Sequence, residues 1–193
     1  MPPAVNDEVY MRLAIAQGEL ARGETGDNPW VGCVIVADDG SVLGRGYTRG
    51  PGEYHAEISA AEEAAAGGHS IVGATIYSTL EPCSFHGRTP ACAHAIVRRG
   101  LRRVVVALRD PHPRVDGLGL RILADGGLEV VEGVCEHAVR RQLAPWFLAQ
   151  HAHEISRYAA TQSPDLTPAA RLSALVERYG LAAAVLERFV RSA

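Results

Sequence analysis

The sequence has little excess charge, few cysteines and no long apolar run, and each shortage excludes a class of protein. The 193 residues carry a net charge of −3 and a pI near 6.2, which gives no sign of the basic face that nucleic-acid-binding proteins usually present. No stretch reaches the ~18 apolar residues that a membrane-spanning helix needs. Residues 1–8 lack the basic start and the apolar segment of a secretory signal. We therefore expect a cytoplasmic protein that binds neither nucleic acid nor membrane.

The small number of cysteines bears on their chemistry. The chain has four of them, Cys33, Cys83, Cys92 and Cys135. An even number is compatible with disulfides in a secreted protein, whereas without an export signal reduced thiols or metal ligands are expected. The rest of the composition, 47% hydrophobic and 21% charged, is typical of a globular protein with a sizeable core.

Hydrophobic periodicity and turn residues predict an α/β domain. Two β-rich runs flank a turn and form a hairpin, and helices and strands alternate after it. The predicted helices are 5–22, 55–66, 91–99, 120–125 and 135–153, and the predicted strands are 31–37, 42–47, 74–80, 104–108 and 128–131. This order implies a three-layer α/β/α fold, a mixed five-stranded sheet with helices on both faces.

A change in residue composition predicts where the domain ends. After residue 158 a stretch containing Ser, Pro and Asp is typical of a linker, and Thr167-Pro168 is typical of a helix start. We therefore place the domain at 1–158 and a C-terminal helical tail at 159–193. We expect the tail to pack on the domain or on a partner subunit, with closure over a neighbour's active site as the alternative.

Three short motifs contain residues that suit a metal site. His55 and Glu57 open one predicted helix, Cys83 follows a predicted strand, and Cys92 opens another helix. One histidine and two thiolates give zinc three protein ligands and leave its fourth position open for water, which is the pattern of catalytic zinc. Zinc lowers the pKa of bound water from about 15.7 to roughly 7, and a non-ligating carboxylate such as Glu57 moves protons between this water, a ring nitrogen and a leaving amine.

Other interpretations of these residues stay open at this point. An H-x-E triplet is common by chance, and the two cysteines are compatible with buried thiols. A structural zinc would need a fourth protein ligand, for which Cys33 and Cys135 are the candidates. The complete set, in this order on these elements, is more specific than its parts.

The motifs resemble the deaminase half of the bifunctional riboflavin-biosynthesis deaminase/reductase, within the cytidine-deaminase-like superfamily. The resemblance covers roughly residues 5–147. The residues that carry it are Asn28-Pro29 with Val31-Gly32, His55-Ala56-Glu57, Thr79 to Ser84, Gly87-Arg88-Thr89-Pro90 with Cys92, and Asp110-Pro111 with Pro113, Val115, Gly117 and Gly119. The long segment between the two cysteines is particular to this branch. Because too few residues follow residue 158 for a reductase domain, we expect a free-standing deaminase.

The resemblance implies a role for each matching residue. The implied zinc ligands and proton shuttle are the same residues, His55, Cys83, Cys92 and Glu57. Asn28 would hydrogen-bond the substrate ring, Arg88 would lie beside the substrate near a phosphate, and Asp110 would frame the pocket. The alternatives without a functional role are that Asn28 and Asp110 are turn residues and that Arg88 is an exposed loop arginine. The family's substrate is a phosphoribosylated diaminopyrimidinone, whose ring amine is hydrolysed to a carbonyl with release of ammonia.

Several positions expected to contact substrate depart from the family pattern. Thr48 and Phe85 stand where the family usually has histidine, and His112 stands where it usually has asparagine. The family's histidine at the position of Phe85 supplies an imidazole, and His86 supplies it instead if the loop shifts by one residue. A site that loses polar partners discriminates among substrates differently by orders of magnitude. The predicted substrate-binding residues are Asn28, Thr48, Phe85, His86, Arg88, Asp110 and His112.

The sequence thus predicts a zinc-dependent deaminase of a small amino-substituted heterocycle, first of all in riboflavin biosynthesis. The alternative is a diverged deaminase acting on another amino-heterocycle in a specialised pathway. A nucleic-acid deaminase would have a shorter P-C-x-x-C spacing and a basic channel, and a non-catalytic zinc protein has no use for Glu57. We also expect a homodimer, because small domains with an added helical tail often bury that tail between subunits.

Overall fold

The computed structural model contains a mixed five-stranded sheet and five helices in the part of the chain that it describes. The described residues are 7–85, 90–110, 115–161 and six residues between 167 and 177. The elements are α1 (Asp7–Leu20), β1 (Gly32–Val36), β2 (Val42–Tyr47), α2 (Ala56–Ala66), β3 (Thr75–Leu80), α3 (Cys92–Arg98), β4 (Arg103–Leu108), α4 (Leu118–Asp125), β5 (Glu129–Glu132) and α5 (Glu136–Thr161). The predicted order of strands and helices is confirmed, with boundaries that shift by a few residues at most up to the start of α5.

The sheet has the strand order β2-β1-β3-β4-β5. Strand β1 is antiparallel to both β2 and β3, whereas β3, β4 and β5 are parallel. The carboxyl ends of β2, β3 and β4 therefore lie at the same edge of the sheet as the amino end of β1. Strands β3 and β4 are almost continuously buried, as expected for parallel strands covered on both faces.

Glycines in β1 and β2 show that helices cover both faces of the sheet. Gly32 lies so close to α1 that an added Cβ would be 1.8 Å from the carbonyl oxygen of Ala14. The next residue of β1, Cys33, points to the opposite face and is paired with Gly46 of β2. An added Cβ at Gly46 would be 2.3 Å from the carbonyl oxygen of Ala56 in α2. Helices α1 and α2 thus pack on opposite faces, which confirms the predicted three-layer arrangement.

A buried ion pair attaches the start of α1 to the sheet. The Asp7 carboxylate accepts two hydrogen bonds from Arg103 of β4, at 2.7 and 2.9 Å, and a third from the hydroxyl of Tyr77 at 2.9 Å. Asp7 is 2% exposed at its side chain and Arg103 is 13% exposed. Loss of Arg103 would leave the Asp7 carboxylate buried without its cation, whereas loss of Asp7 would leave Arg103 its second ion pair, with Glu129 at 3.1 Å.

The chain divides into two compact units, Met1–Val139 and Arg140–Ala193. Helix α5 begins in the first unit and ends in the second, and it continues to Thr161 rather than to about residue 153 as predicted. It passes through Pro145, which has no N–H to donate to the preceding turn of the helix. The predicted domain boundary at 158 stays a prediction, and most of the predicted tail at 159–193 lies outside the described residues. None of the described helices has the length and apolar content needed to cross a membrane.

Candidate active site

The sequence motifs converge at one edge of the sheet because of the strand directions. Thr48 follows β2, Cys83 follows β3 and Asp110 follows β4, while Asn28 precedes β1. All four positions therefore lie beyond the same sheet edge, next to the strand at which parallel pairing changes to antiparallel pairing. This is the place where open α/β sheets commonly bind ligands.

Two helix starts and one loop position the three candidate metal ligands. His55 is the N-cap of α2, with φ −71° and ψ 165°, and Cys92 is the first residue of α3. Cys83 lies in the loop after β3, where its carbonyl oxygen accepts the N–H of Ala93 at 3.2 Å and its Sγ accepts the N–H of Cys92 at 3.2 Å. The first N–H of α3 therefore donates to the Cys83 sulfur, which stabilises a thiolate.

The distances within this group fit a tetrahedral zinc ion. Nδ1 of His55 lies 3.7 Å from Sγ of Cys83 and 3.4 Å from Sγ of Cys92. Zinc–sulfur bonds of about 2.3 Å and zinc–nitrogen bonds of about 2.05 Å at tetrahedral angles require a separation of about 3.6 Å. Neither Cys33 nor Cys135 belongs to the group, which in the described part of the chain contains these three residues alone. The four-ligand structural alternative therefore has no support among the described residues.

The pKa values of the two thiols are shifted in opposite directions, because Cys92 donates a hydrogen bond to Cys83. The pKa of the Cys83 thiol is lowered to about 4, first because Cys92 donates a hydrogen bond to it and further because His55 lies beside it. The pKa of the Cys92 thiol is raised well above its ordinary value, because it donates that bond and is buried. A divalent cation bound by both sulfurs displaces the Cys92 proton and compensates the second negative charge.

Glu57 places a carboxyl beside the ligands without belonging to their group. It lies in the first turn of α2, two residues after His55, and is 4% exposed. Burial raises the pKa of its carboxyl above the ordinary value, and the charge of His55 partly opposes this shift. A carboxyl with a raised pKa holds and releases protons closer to neutral pH, as a general acid–base group requires.

Glu81 is a buried carboxylate whose role the sequence analysis did not identify. Its two oxygens accept the backbone N–H groups of Asp110 (3.2 Å), Gly117 (3.0 Å), Gly119 (2.9 Å) and Leu120 (3.4 Å). It thereby connects the loop that contains Cys83 to the loop that begins at Asp110. Its place between Leu80 and Pro82, in one of the motifs that carry the resemblance, is the available signal, but its partners are 29 to 39 residues away in sequence.

The candidate substrate-binding residues that the structure describes differ in solvent exposure. Asn28 is half-buried, and its backbone is fixed because its carbonyl oxygen accepts the hydroxyl of Thr25 at 2.6 Å. Thr48 is 3% exposed and its hydroxyl accepts the N–H of Val31 at 3.2 Å. Phe85 is 39% exposed, whereas Asp110 is half-buried. The remaining three candidates, His86, Arg88 and His112, lie outside the described residues.

A cavity of about 640 Å³ adjoins the candidate metal ligands. His55 forms part of its wall, and Arg49, Arg98 and Arg99 form another part. We refer to it as the arginine cavity. The sequence analysis did not predict it, because Arg49 and the two arginines at the end of α3 are about 50 residues apart in the chain.

Comparison with known families agrees with this geometry. The family described as the cytidine and deoxycytidylate deaminase zinc-binding region matches residues 4–108. The riboflavin biosynthesis protein RibD of Aquifex aeolicus is 46% identical over 134 residues, which cover 69% of this chain and 36% of that protein. The chain thus spans about a third of the length of the curated relatives it matches.

Two solved structures have the same fold at substantial sequence identity. RibD of Acinetobacter baumannii is 41% identical with a TM-score of 0.69, and the match covers 75% of this chain and 39% of that one. A diaminohydroxyphosphoribosylaminopyrimidine deaminase/5-amino-6-(5-phosphoribosylamino)uracil reductase from Thermotoga maritima is 35% identical with a TM-score of 0.67. That match covers 75% of this chain and 41% of the other.

Proposed function

The chain belongs to the cytidine and deoxycytidylate deaminase family, and from this premise we propose that it is a zinc-dependent hydrolytic deaminase of an amino-substituted heterocycle. The observation that carries the proposal is the three-ligand group His55, Cys83 and Cys92 with the buried carboxyl of Glu57 beside it. When bound by three protein ligands, zinc lowers the pKa of a water molecule to about 7 and so supplies a nucleophile at neutral pH. A purely structural zinc protein gives no reason to bury the Glu57 carboxyl, because an uncompensated buried carboxyl is destabilising.

Glu57 moves the protons that the reaction requires. Hydrolysis of an amidine-like C–NH₂ group consumes one water and yields a carbonyl and ammonia. The Glu57 carboxylate accepts a proton from the attacking water and donates it to the ring nitrogen. The same carboxylate then takes the proton of the hydroxyl group formed by the attack and donates it to the amine, so that the C–N bond breaks, ammonia leaves and the hydroxyl oxygen becomes the carbonyl oxygen. Burial serves this role because it raises the pKa of the Glu57 carboxyl toward neutrality.

The first substrate we propose is the phosphoribosylated diaminopyrimidinone of riboflavin biosynthesis. Two relatives at 46% identity carry the name of that pathway, and the Thermotoga maritima structure carries the name of that deaminase. In this assignment Asn28 hydrogen-bonds the substrate ring and Asp110 frames the pocket. Arg88 and His112, which lie outside the described residues, also contact the substrate. The fixed backbone of Asn28 suits this role, since it holds the start of the side chain in place.

One observation favours a second substrate class. The Thr48 hydroxyl is buried and bonded to the backbone of Val31, so this position offers the substrate no imidazole. Phe85 adds exposed apolar surface where the family usually has a polar residue. Both changes weaken polar recognition, and they support a different, less polar amino-heterocycle from a specialised pathway as the alternative substrate.

Ammonia release by the zinc-loaded protein tests the proposal. We expect turnover of the phosphoribosylated diaminopyrimidinone, with cytidine, guanine and simple aminopyrimidines as comparison substrates. Glu57→Gln is the matched control, because it keeps the size of the side chain and removes its proton transfer. It should bind about one zinc per chain, like the parent, and release no ammonia. Parental turnover in this variant would refute the role of Glu57, and no turnover of any amino-heterocycle by the zinc-loaded parent would refute the proposed function.

We also propose that the protein acts on a small molecule in the cytoplasm as a homodimer. Support comes from the absence of a basic excess in the sequence and from the relatives, which are named for a small-molecule pathway. Sedimentation equilibrium of the full chain is expected to give twice the 20.6 kDa of the monomer. A single monomeric species at micromolar concentration would contradict the dimer.

A further inference from the structure

We propose that the outer face of α1 is the surface through which two copies of this chain pair, with their α1 helices antiparallel. The inference rests on the proposed homodimer, for which it names the interface, and it does not depend on the deaminase chemistry. Its basis is that α1 has apolar side chains on two opposite faces, although a helix that covers one side of a sheet needs only one such face.

The inner face of α1 is buried against the sheet. Its buried residues are Asp7, Met11, Ala14 and Gly18. At about 100° per residue, these four positions lie within about 60° of one another around the helix axis. The close approach of Gly32 in β1 to the carbonyl oxygen of Ala14 shows that this face rests on the sheet. The inner face therefore attaches α1 to its domain.

The opposite face of α1 carries a second apolar stripe, which is exposed. Val9 is 55% exposed, Leu13 38% and Leu20 59%, and the small Ala16 is exposed as well. These four residues, which we call the outer stripe, also lie within about 60° of one another, on the side nearly opposite to the buried face. A surface helix ordinarily has polar residues there. A continuous apolar stripe in this place indicates contact with another apolar surface.

The spacing of the outer stripe is that of a contact between two helices. Its residues follow one another at intervals of four, three and four positions, which is the alternation of a and d positions in a coiled-coil seam. When two α1 helices lie antiparallel, Val9 faces Leu20 of the second copy, and Leu13 faces Ala16 of the second copy. Each large side chain in the middle of the contact thus meets a small one. The two-fold symmetry repeats both contacts, so that the outer stripes form four apolar layers.

The charges beside the outer stripe favour the antiparallel orientation and a partner identical to this chain. Arg12 and Glu19 flank the same side of the stripe, and in the antiparallel pair Arg12 of each copy faces Glu19 of the other. A parallel pair would instead place Arg12 beside Gln17, without charge complementarity. Within one chain Arg12 pairs with Glu8 at 3.5 Å and Glu19 pairs with Arg22 at 2.8 Å. Exposed pairs of this kind are weak, so they rearrange at little cost when the helices meet.

Sedimentation equilibrium of the zinc-loaded full chain tests the outer stripe. We expect a dissociation constant in the micromolar range, because four layers form a small interface. Leu13→Glu places a charge in two of the four layers and should raise this constant about 100-fold or more. Val72→Glu is the matched control, because Val72 is an apolar residue outside α1 that is 74% exposed, and it should dimerise like the parent.

Three outcomes of this experiment would overturn the proposal. A dimer that survives Leu13→Glu unchanged would place the interface elsewhere and leave the homodimer itself intact. A parent that is monomeric at every concentration would overturn the interface together with the homodimer. If that monomer also loses free energy of unfolding in Leu13→Glu, another segment of the same chain covers the outer stripe.

Charge exchange tests the orientation and separates a contact between copies from a loss of folding. Arg12→Glu alone and Glu19→Arg alone each bring like charges together in both contacts, and each should raise the dissociation constant about tenfold at low salt. An equimolar mixture of the two variants should recover the parental affinity, because one then carries only negative charges at the contacts and the other only positive charges. A defect in the fold of one chain cannot be restored in this way. A mixture that dimerises no better than either variant alone would overturn the antiparallel pairing.

Discussion

A single methyl group added at Gly46 tests how closely α2 must approach the sheet for the active site to form. Gly46 lies in β2 directly under the first turns of α2. An added Cβ would be 2.3 Å from the carbonyl oxygen of Ala56 and 2.3 Å from the backbone nitrogen of Ala60. Both atoms belong to backbone, so a side-chain rotation cannot relieve the contact. Helix α2 has to move away from the sheet by about 1 Å to restore ordinary van der Waals distances.

The displaced start of α2 is the part of the helix that positions the candidate metal ligand and the candidate proton shuttle. His55 caps α2 and Glu57 lies in its first turn, so both move with the backbone of Ala56. A misplacement of about 1 Å costs about 100-fold in rate in comparable cases. Overpacking of this kind also lowers the free energy of unfolding by about 1–3 kcal/mol. We therefore expect Gly46→Ala to lose about 100-fold in kcat/KM and to bind zinc more weakly.

Two control variants separate the displacement of the site from a general loss of stability. Gly44→Ala creates a similar contact, 2.2 Å from the carbonyl oxygen of Ala60 and 2.9 Å from the nitrogen of Ala64, but further along α2. It should lower stability about as much as Gly46→Ala and affect turnover less. Gly50→Ala precedes α2 and meets its nearest atoms only at 3.7 Å, so it should leave both properties unchanged.

The assays are urea unfolding, ammonia release and competition for zinc with a chelator. The chelator assay needs no substrate, so it reports on His55 whether or not the proposed substrate is correct. The reasoning is refuted if Gly46→Ala keeps the parental rate and zinc affinity. It is also refuted if Gly44→Ala loses turnover to the same degree, since the effect would then reflect stability alone.

Further variants test the ligand set and the buried carboxylates. Cys83→Ser should lose most of the bound zinc by elemental analysis, whereas Cys33→Ala should retain it, because Cys33 is outside the three-ligand group; equal zinc in both variants would contradict this set. Asp7→Ala removes the two hydrogen bonds between Asp7 and the half-buried Arg103, which keeps its ion pair with Glu129, and urea unfolding should show a loss of about 3 kcal/mol. A loss below about 1 kcal/mol, the usual value of an exposed pair, would contradict the buried character of the Asp7–Arg103 pair. Glu81→Gln replaces an acceptor oxygen with an N–H donor that faces backbone N–H groups, so the free energy of unfolding should fall by about 2 kcal/mol or more. Unchanged stability would refute the role of Glu81 in joining the two loops.

The sequence alone predicted much of the fold because its signals are local. The β-hairpin, the order of strands and helices and most element boundaries follow from apolar periodicity and from turn residues within a few positions of one another. The predicted end of α5 at residue 153 is wrong, since the helix continues to Thr161. Element ends depend on weak capping preferences, so they are the least determined part of a sequence-based prediction.

The candidate metal ligands were also visible in the sequence, since each motif sits at the start of a helix or the end of a strand. His55 and Glu57 are two residues apart, and their relation is fixed by the first turn of one helix. Cys83 and Cys92 are joined by one loop, and the start of α3 fixes both. Residue type and order therefore sufficed to select these four.

Only the tertiary structure decided which distant residues complete the surroundings of the site. Glu81 accepts N–H groups from residues about 30 to 40 positions later, and Arg49 shares a cavity with Arg98 of another helix. The same holds for Thr48, whose hydroxyl is used by the backbone of Val31. Such contacts depend on strand order and on how closely helices pack, which arise from the whole core and are not encoded in any short segment. The sequence by itself determined which candidate ligands and carboxylates the site contains, and packing determined which distant side chains surround them.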